Sequence, residues 1–331
     1  YSKLFNKVEI SETRKIMKKE LRDVLLFTFI VLLITTFSTI SNSMVYGNKY
    51  GGNMTFIMSI YPIVSAILVE KGFNIKTIVK DKLSVTYLIY FSIIFILSLL
   101  SLKYEVFMDA FGFIIPSTAL LSLYILAINN KVLVGNFSFK ELFKWIIVIL
   151  VILNVQVGAI NYYMTNDIYV KDLMTRSIFS ITTGLISNIG FIFFTIGEEY
   201  AWRYYLQAKL QKISGKRVGV LLTGLIWGLY HVPLYGFLFY SGHEGVYACV
   251  NIVIFCISMG VFLGLIYMRS KSVIMVSLIH SLNNMYRAGG IVSTQTATPE
   301  AAAISQFFIF SAVMSLVLFL PFLLANEYAK K

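Results

Sequence analysis

Four side chains in this 331-residue chain combine reactive types with an apolar setting: Glu198, His231, His280 and Asn284. An ionisable group inside a long apolar segment is costly, so each marks a functional candidate by default. Together they offer a carboxylate able to take a proton, and imidazole and amide groups able to hydrogen-bond a developing charge. Glu198 belongs to Gly197-Glu198-Glu199-Tyr200-Ala201-Trp202-Arg203. On a helix Glu199 and Arg203 are four apart and pair, whereas Glu198 is turned about 100° away and stays free for work. The plain alternative is an ion pair at a membrane edge with a snorkelling arginine.

His231 sits in Trp227-Gly228-Leu229-Tyr230-His231-Val232-Pro233, about 20 Å along its segment from Arg217. Pro233 lacks an amide donor and should kink the helix there, freeing the carbonyl of Leu229. His280 lies about 13 Å from Lys271, and Asn284, one turn further, shares its face. A packing histidine and a hydrogen bond between helices are the plain alternatives for these two motifs. His243, in a short loop beside Glu244, reads as ordinary surface. Cys249 and Cys256 are about 10 Å apart along a helix axis, too far for a disulfide, and read as small buried hydrophobes.

Long apolar elements must position these groups. Hydrophobic residues make up 58% of the chain and charged residues 13%, with a mean hydropathy of +0.78. That composition cannot cover the charged surface of a soluble domain. The expected fold class is all-α, a polytopic transmembrane bundle of about ten spans with both termini cytoplasmic. The spans run over Val24–Ser41, Met54–Val69, Leu83–Leu102, Ala110–Ile128, Trp145–Ile160, Ser177–Gly197, Val218–Phe239, Val246–Met268, Ser272–Met285 and Ile304–Leu324. Tyr1–Asp23 is charged and lacks a small-residue cleavage pattern, so the first span is expected to stay as an anchor. Of the 28 basic residues, 23 fall in alternate loops; the opposite loops hold only Lys49, Lys103, Lys171, Arg176 and Arg287. Positive charge stays on the cytoplasmic side, which supports the even count. The net charge of +12 therefore reads as topology and attraction to the lipid bilayer, with no nucleic-acid partner.

Membrane-buried polar groups begin near residue 177. Residues 1–176 form an N-terminal membrane region of about five spans with no assigned role, 177–290 the functional core, and 291–331 a last span and cytoplasmic tail. Ser138 with Glu141 resembles a capping box opening an interfacial helix before the fifth span. The amphipathic stretch Glu199–Ile213 reads as an interfacial connector in its second half. Gly224 with Gly228, and Gly260 with Gly264, are small residues at four-residue spacing that let two helices pack closely.

Glu198-Glu199…Arg203, Trp227…His231 and His280…Asn284, in that order on separate spans, resemble the CPBP family. These are CAAX prenyl endopeptidases of the second type, with bacteriocin-processing and self-immunity proteins. The likeness covers residues 177 to 290, Trp227 standing where the family commonly has Phe; the five leading spans exceed it. The resemblance implies an endopeptidase with its site inside the cell membrane, opening toward the cytoplasm, acting on a membrane-associated protein or peptide. Carried over by position, Glu198 and His231 would activate water and His280 and Asn284 would stabilise the oxyanion, with Glu199 and Arg203 in support. Glu198, His231 and His280 would equally serve as three ligands of a catalytic zinc, which is the one cofactor in question. A non-catalytic immunity protein or binding scaffold is the alternative function. A proton-coupled transporter would use the same Glu and His as a relay, but the absence of a visible repeat speaks against it.

Overall fold

The computed structural model describes residues 2–128, 130–240, 242–293 and 301–329. Every regular element among them is helical. The first half holds α1 (Ser2–Tyr46), α2 (Gly51–Met58), α3 (Tyr61–Glu70), α4 (Ile75–Ile78), α5 (Lys82–Ser101), α6 (Val106–Asp109), α7 (Phe111–Ala127), α8 (Lys131–Val134) and α9 (Phe139–Thr165). The second holds α10 (Val170–Glu199), α11 (Ala208–Ser214), α12 (Lys216–Leu234), α13 (Gly242–Ser270), α14 (Val273–Ser293), α15 (Ala301–Phe319) and α16 (Asn326–Ala329). Two π-helical stretches, Tyr200–Gln207 and Tyr235–Phe239, follow α10 and α12.

Among the described residues seven helices are long and apolar enough to cross a membrane: Arg14–Tyr46, Gly51–Glu70, Lys82–Ser101, Phe139–Thr165, Lys216–Phe239, Gly242–Ser270 and Ile304–Leu324. The other three spans read from the sequence coincide with α7, α10 and α14. On α1, Phe27 and Val31 are fully buried while Leu25, Phe29, Leu33 and Phe37 are exposed. An exposed apolar stripe at four-residue spacing would be a liability in water; against lipid it is the required outer surface.

Three local expectations are corrected. Ser138 occupies the N-cap of α9, but its side chain makes no capping bond, and Glu141 pairs with Lys144 at 3.3 Å instead. No separate interfacial helix precedes the fifth span, because α9 runs unbroken from Phe139 to Thr165. The helix of the ninth span does not stop at Met285, since α14 continues to Ser293 and carries Arg287 with it.

The small-residue pairs do what their spacing suggests. A β-carbon on Gly224 would lie 2.6 Å from the Ile257 Cα, and one on Gly228 2.7 Å from the Val253 Cα. Helices α12 and α13 thus cross backbone to backbone. Helix α10 packs along α14 and is also held by the first half of the chain. The Tyr87 hydroxyl donates to the Phe193 carbonyl at 2.6 Å, and the Phe193 amide donates to Ser122 Oγ at 3.2 Å. Below them, Tyr200 donates to Glu70 at 2.8 Å. The second, third and fourth spans therefore clamp the end of α10 that bears the paired glutamates.

Candidate active site

Two of the helices that carry the candidates, α10 and α12, change their winding next to the residue they present. Glu198 and Glu199 are the last two residues of α10, directly before the π-helical stretch Tyr200–Gln207. His231 lies in the last turn of α12, and the stretch after Pro233 is again π-helical, with Tyr240 N bonded to the Tyr235 carbonyl at 3.0 Å. Pro233 thus perturbs the helix on the side of the residues that follow it. Such irregular turns gather at functional sites because they re-aim side chains that a regular helix would spread evenly.

Glu199 and Arg203 are completely buried, and Arg203 Nε donates to Glu199 Oε2 at 2.8 Å. The guanidinium also donates to the Gly260 carbonyl at 3.3 Å and stacks 5.0 Å from the centroid of Trp227. Glycine at 260 serves the helix crossing: a β-carbon there would stand 3.2 Å from the Gly224 Cα. The second Glu199 oxygen faces another helix. His280 Nδ1 on α14 lies 2.8 Å from Glu199 Oε1, at hydrogen-bond distance but off the line of a hydrogen bond. The sequence reading gave Glu199 one partner; the structure sets it between two.

Glu198 turns the other way, into a cavity of about 480 Å³. His231, His280 and Asn284 line the same cavity, so three helices bring the four candidates together. Ser59 and Trp227 neighbour the Glu198 carboxylate, whose Oε2 is buried and has no hydrogen-bond partner. A buried carboxylate with one oxygen unbonded is expensive unless something else meets it, and the cavity leaves room for a ligand or a reacting molecule to do so. His243, by contrast, is exposed on the N-terminal turn of α13, as expected of surface.

Trp227 organises the two imidazoles. Its ring lies 5.3 Å from His280 and 6.0 Å from His231 between centroids, near perpendicular to both. His231 Nδ1 is 2.9 Å from the Trp227 carbonyl. A carbonyl only accepts, so that nitrogen carries the proton and Nε2 keeps its lone pair.

Three contributors were missed in the sequence. Ser59 stands at the break between α2 and α3, where Pro62 opens the second half-helix, and so an N-terminal span forms part of the cavity wall. Cys256 approaches His231 Nδ1 at 3.9 Å. Arg287, counted with an outer loop, is a wall residue. Proline inside an apolar span was the available signal for the first; nothing in the local sequence marks the other two.

Zinc is one reading of Glu198, His231 and His280. Among the described residues, no three His, Cys, Asp or Glu side chains are grouped so as to hold a metal ion. The Nδ1 atoms of the two histidines are turned to Trp227 and Glu199, which leaves Nε2 as the nitrogen that would hold a metal.

Residues 178–286 match the family model described as Type II CAAX prenyl endopeptidase Rce1-like. The matched segment contains the four candidates Glu198, His231, His280 and Asn284 and the Glu199–Arg203 pair, and its family is one of proteases. The resemblance to CPBP and CAAX proteases stands over that segment. With the apolar helices, it makes this an integral, multi-pass membrane protein. No curated protein and no solved structure matches the chain.

Proposed function

We propose that the chain is a membrane-embedded endopeptidase that hydrolyses a peptide bond of a membrane-associated protein or peptide in the cavity bearing Glu198. The observation that carries this reading is the convergence of Glu198, His231, His280 and Asn284, from α10, α12 and α14, on one cavity. Glu198 supplies an unbonded carboxylate oxygen and His231 a free ring nitrogen; between them they take the proton of a water molecule. The water oxygen bonds to the scissile carbonyl carbon, and the proton passes through Glu198 to the departing amine as the C–N bond breaks. His280, held at Nδ1 by Glu199, turns its other nitrogen to the cavity, and with the Asn284 amide it supports the oxyanion. The Glu199–Arg203 pair keeps that scaffold in place.

The same reading sets the protein in the cell membrane as ten spans, with both ends cytoplasmic and the cavity opening toward the cytoplasm. Membrane peptidomes from cells carrying wild-type protein and Glu198→Ala test it. Fragments present only with the wild type support hydrolysis. Identical peptidomes across varied growth conditions would favour the immunity or scaffold alternative.

A further inference from the structure

Helices α9 and α15 are pinned together at one level and part at another. The Gln156 amide donates to Ser315 Oγ at 2.9 Å, and both side chains are buried. About one turn away, toward the start of α9, Ile152 and Leu318 instead face a groove of about 440 Å³, with Val148, Val151, Pro321 and Phe322. The cause lies in Pro321. It has no amide donor, so α15 stops at Phe319 and gives way to a 3-10 turn, Leu320–Leu324. That turn leans on α13, with Phe322 5.0 Å from Phe262 between ring centroids. The chain thus bends toward α13 and leaves a wedge between α9 and α15.

Every side chain lining the wedge is apolar, and both helices are long and apolar enough to cross a membrane. One end of it is basic. Lys140, Lys144, Val148 and Val151 follow one another at helical spacing, so the two lysines stand in line with the groove, Lys144 about 6 Å along the axis from Val148. Lys144 Nζ lies 5.2 Å from the centroid of Trp145, and the Arg269 guanidinium carbon 5.6 Å from it. Trp145 is itself buried, 5.6 Å from Phe262. Arg269 pairs with Glu327 at 2.9 Å, and Lys144 with Glu141 at 3.3 Å, the latter two side chains being about half exposed. An exposed pair of that kind is weak. Lys140 is exposed and has no ion pair among the described residues. Three cations thus face two carboxylates, and the rim is left positive.

We propose that the wedge between α9 and α15 binds an anionic phospholipid, with an acyl chain against Val148, Val151 and Leu318 and the headgroup phosphate at Lys140 and Lys144. Apolar walls at membrane depth beneath a basic rim match the two halves of that molecule. A neutral lipid would fill the wedge but leave the lysines unanswered. A soluble phosphate would meet the lysines but leave the wedge unfilled. One cation beside an anionic lipid is worth about fivefold in affinity. The site shares no wall residue with the Glu198 cavity and does not depend on peptide hydrolysis.

Native mass spectrometry of the full-length protein in neutral detergent reads the first bound lipid directly. The ligands are dioleoyl phosphatidylglycerol, dioleoyl phosphatidylcholine and glycerol phosphate. The wild type is expected to bind phosphatidylglycerol at least about fivefold more tightly than phosphatidylcholine, and to bind no glycerol phosphate. Lys140→Gln/Lys144→Gln should bring the ratio of the two lipids to about one. Lys76→Gln/Lys80→Gln, which removes two exposed lysines elsewhere, should leave it unchanged. Val151→Phe, at a position about half exposed, should fill the wedge and weaken both lipids. Equal affinity of the wild type for the two lipids, or a preference that the Lys76/Lys80 variant loses as fully as the Lys140/Lys144 one, would overturn the proposal. Unaltered binding in Val151→Phe, or glycerol phosphate held as tightly as the lipid, would do the same. So would a lipid-free dimer that Val151→Phe turns into a monomer, because a second copy of the chain would then occupy the wedge.

Discussion

His280 Nδ1 stands 2.8 Å from Glu199 Oε1, and the other oxygen of that carboxylate accepts from Arg203. One buried side chain therefore holds both a structural cation and a wall residue of the cavity. Spacing alone would make Glu199 a packing residue whose loss lowers yield and nothing else. The contact with His280 adds a second effect. Glu199→Gln and Arg203→Gln should each destabilise the fold by about 3–5 kcal/mol, the usual consequence of stranding a buried charge. Glu199→Gln should in addition lose activity per folded molecule, because His280 loses its anchor. Melting temperature and specific activity, measured on the same folded preparations, separate the two; equal specific activity in Glu199→Gln and wild type would show that the contact has no functional weight.

Helix α12 can approach α13 only because positions 224 and 228 lack side chains. Gly224→Ala and Gly228→Ala each place a carbon under 3 Å from backbone, so the helices must part. A loss of about 1–3 kcal/mol is expected for each, as for other overpacked interiors. Gly52→Ala, which would meet nothing within 4 Å, is the control. Thermal melts in detergent that placed all three together would mean that the close crossing does not support the fold.

Charge along the chain fixes the orientation to be tested. Tags at both ends should be reached from the cytoplasm, and a tag beside His243 should not. A C-terminus on the outside would mean an odd number of spans.

The placement of the histidines bears on metal. Among the described residues the two imidazoles and Glu198 are not grouped as a ligand set, although each Nδ1 contact leaves the opposite ring nitrogen free. Purified protein should hold well under one equivalent of zinc and keep its activity in chelator. One equivalent, lost on His231→Ala/His280→Ala, would replace the glutamate mechanism with a metal-assisted one.

Much of the site was legible because helical spacing is a local property. The Glu199–Arg203 pair, the turning away of Glu198, the shared face of His280 and Asn284 and the glycine pairs all follow from offsets of one to four residues. What spacing cannot give is which helices are neighbours. The approach of His280 to Glu199 depends on α10 lying along α14. Ser59 entered the cavity for the same reason, from a segment with no reactive motif of its own. Ser138 shows the opposite failure: its motif suggested a capping bond, but the paired Glu141 went to Lys144. Arg287 was read with the loop after the ninth span, whereas α14 runs on past it to Ser293 and sets it in the cavity wall.

The central claim is that Glu198 moves the proton. Glu198→Gln keeps the shape of the side chain and removes a buried charge, so the variant should insert in the membrane and melt no lower than wild type. Its cleavage of a substrate recovered from the peptidome comparison should fall by at least about a hundredfold, the usual worth of a general base. Near-normal turnover in a folded Glu198→Gln protein would contradict the account, and a dead, normally folded Glu199→Gln beside it would reverse the roles of the two glutamates.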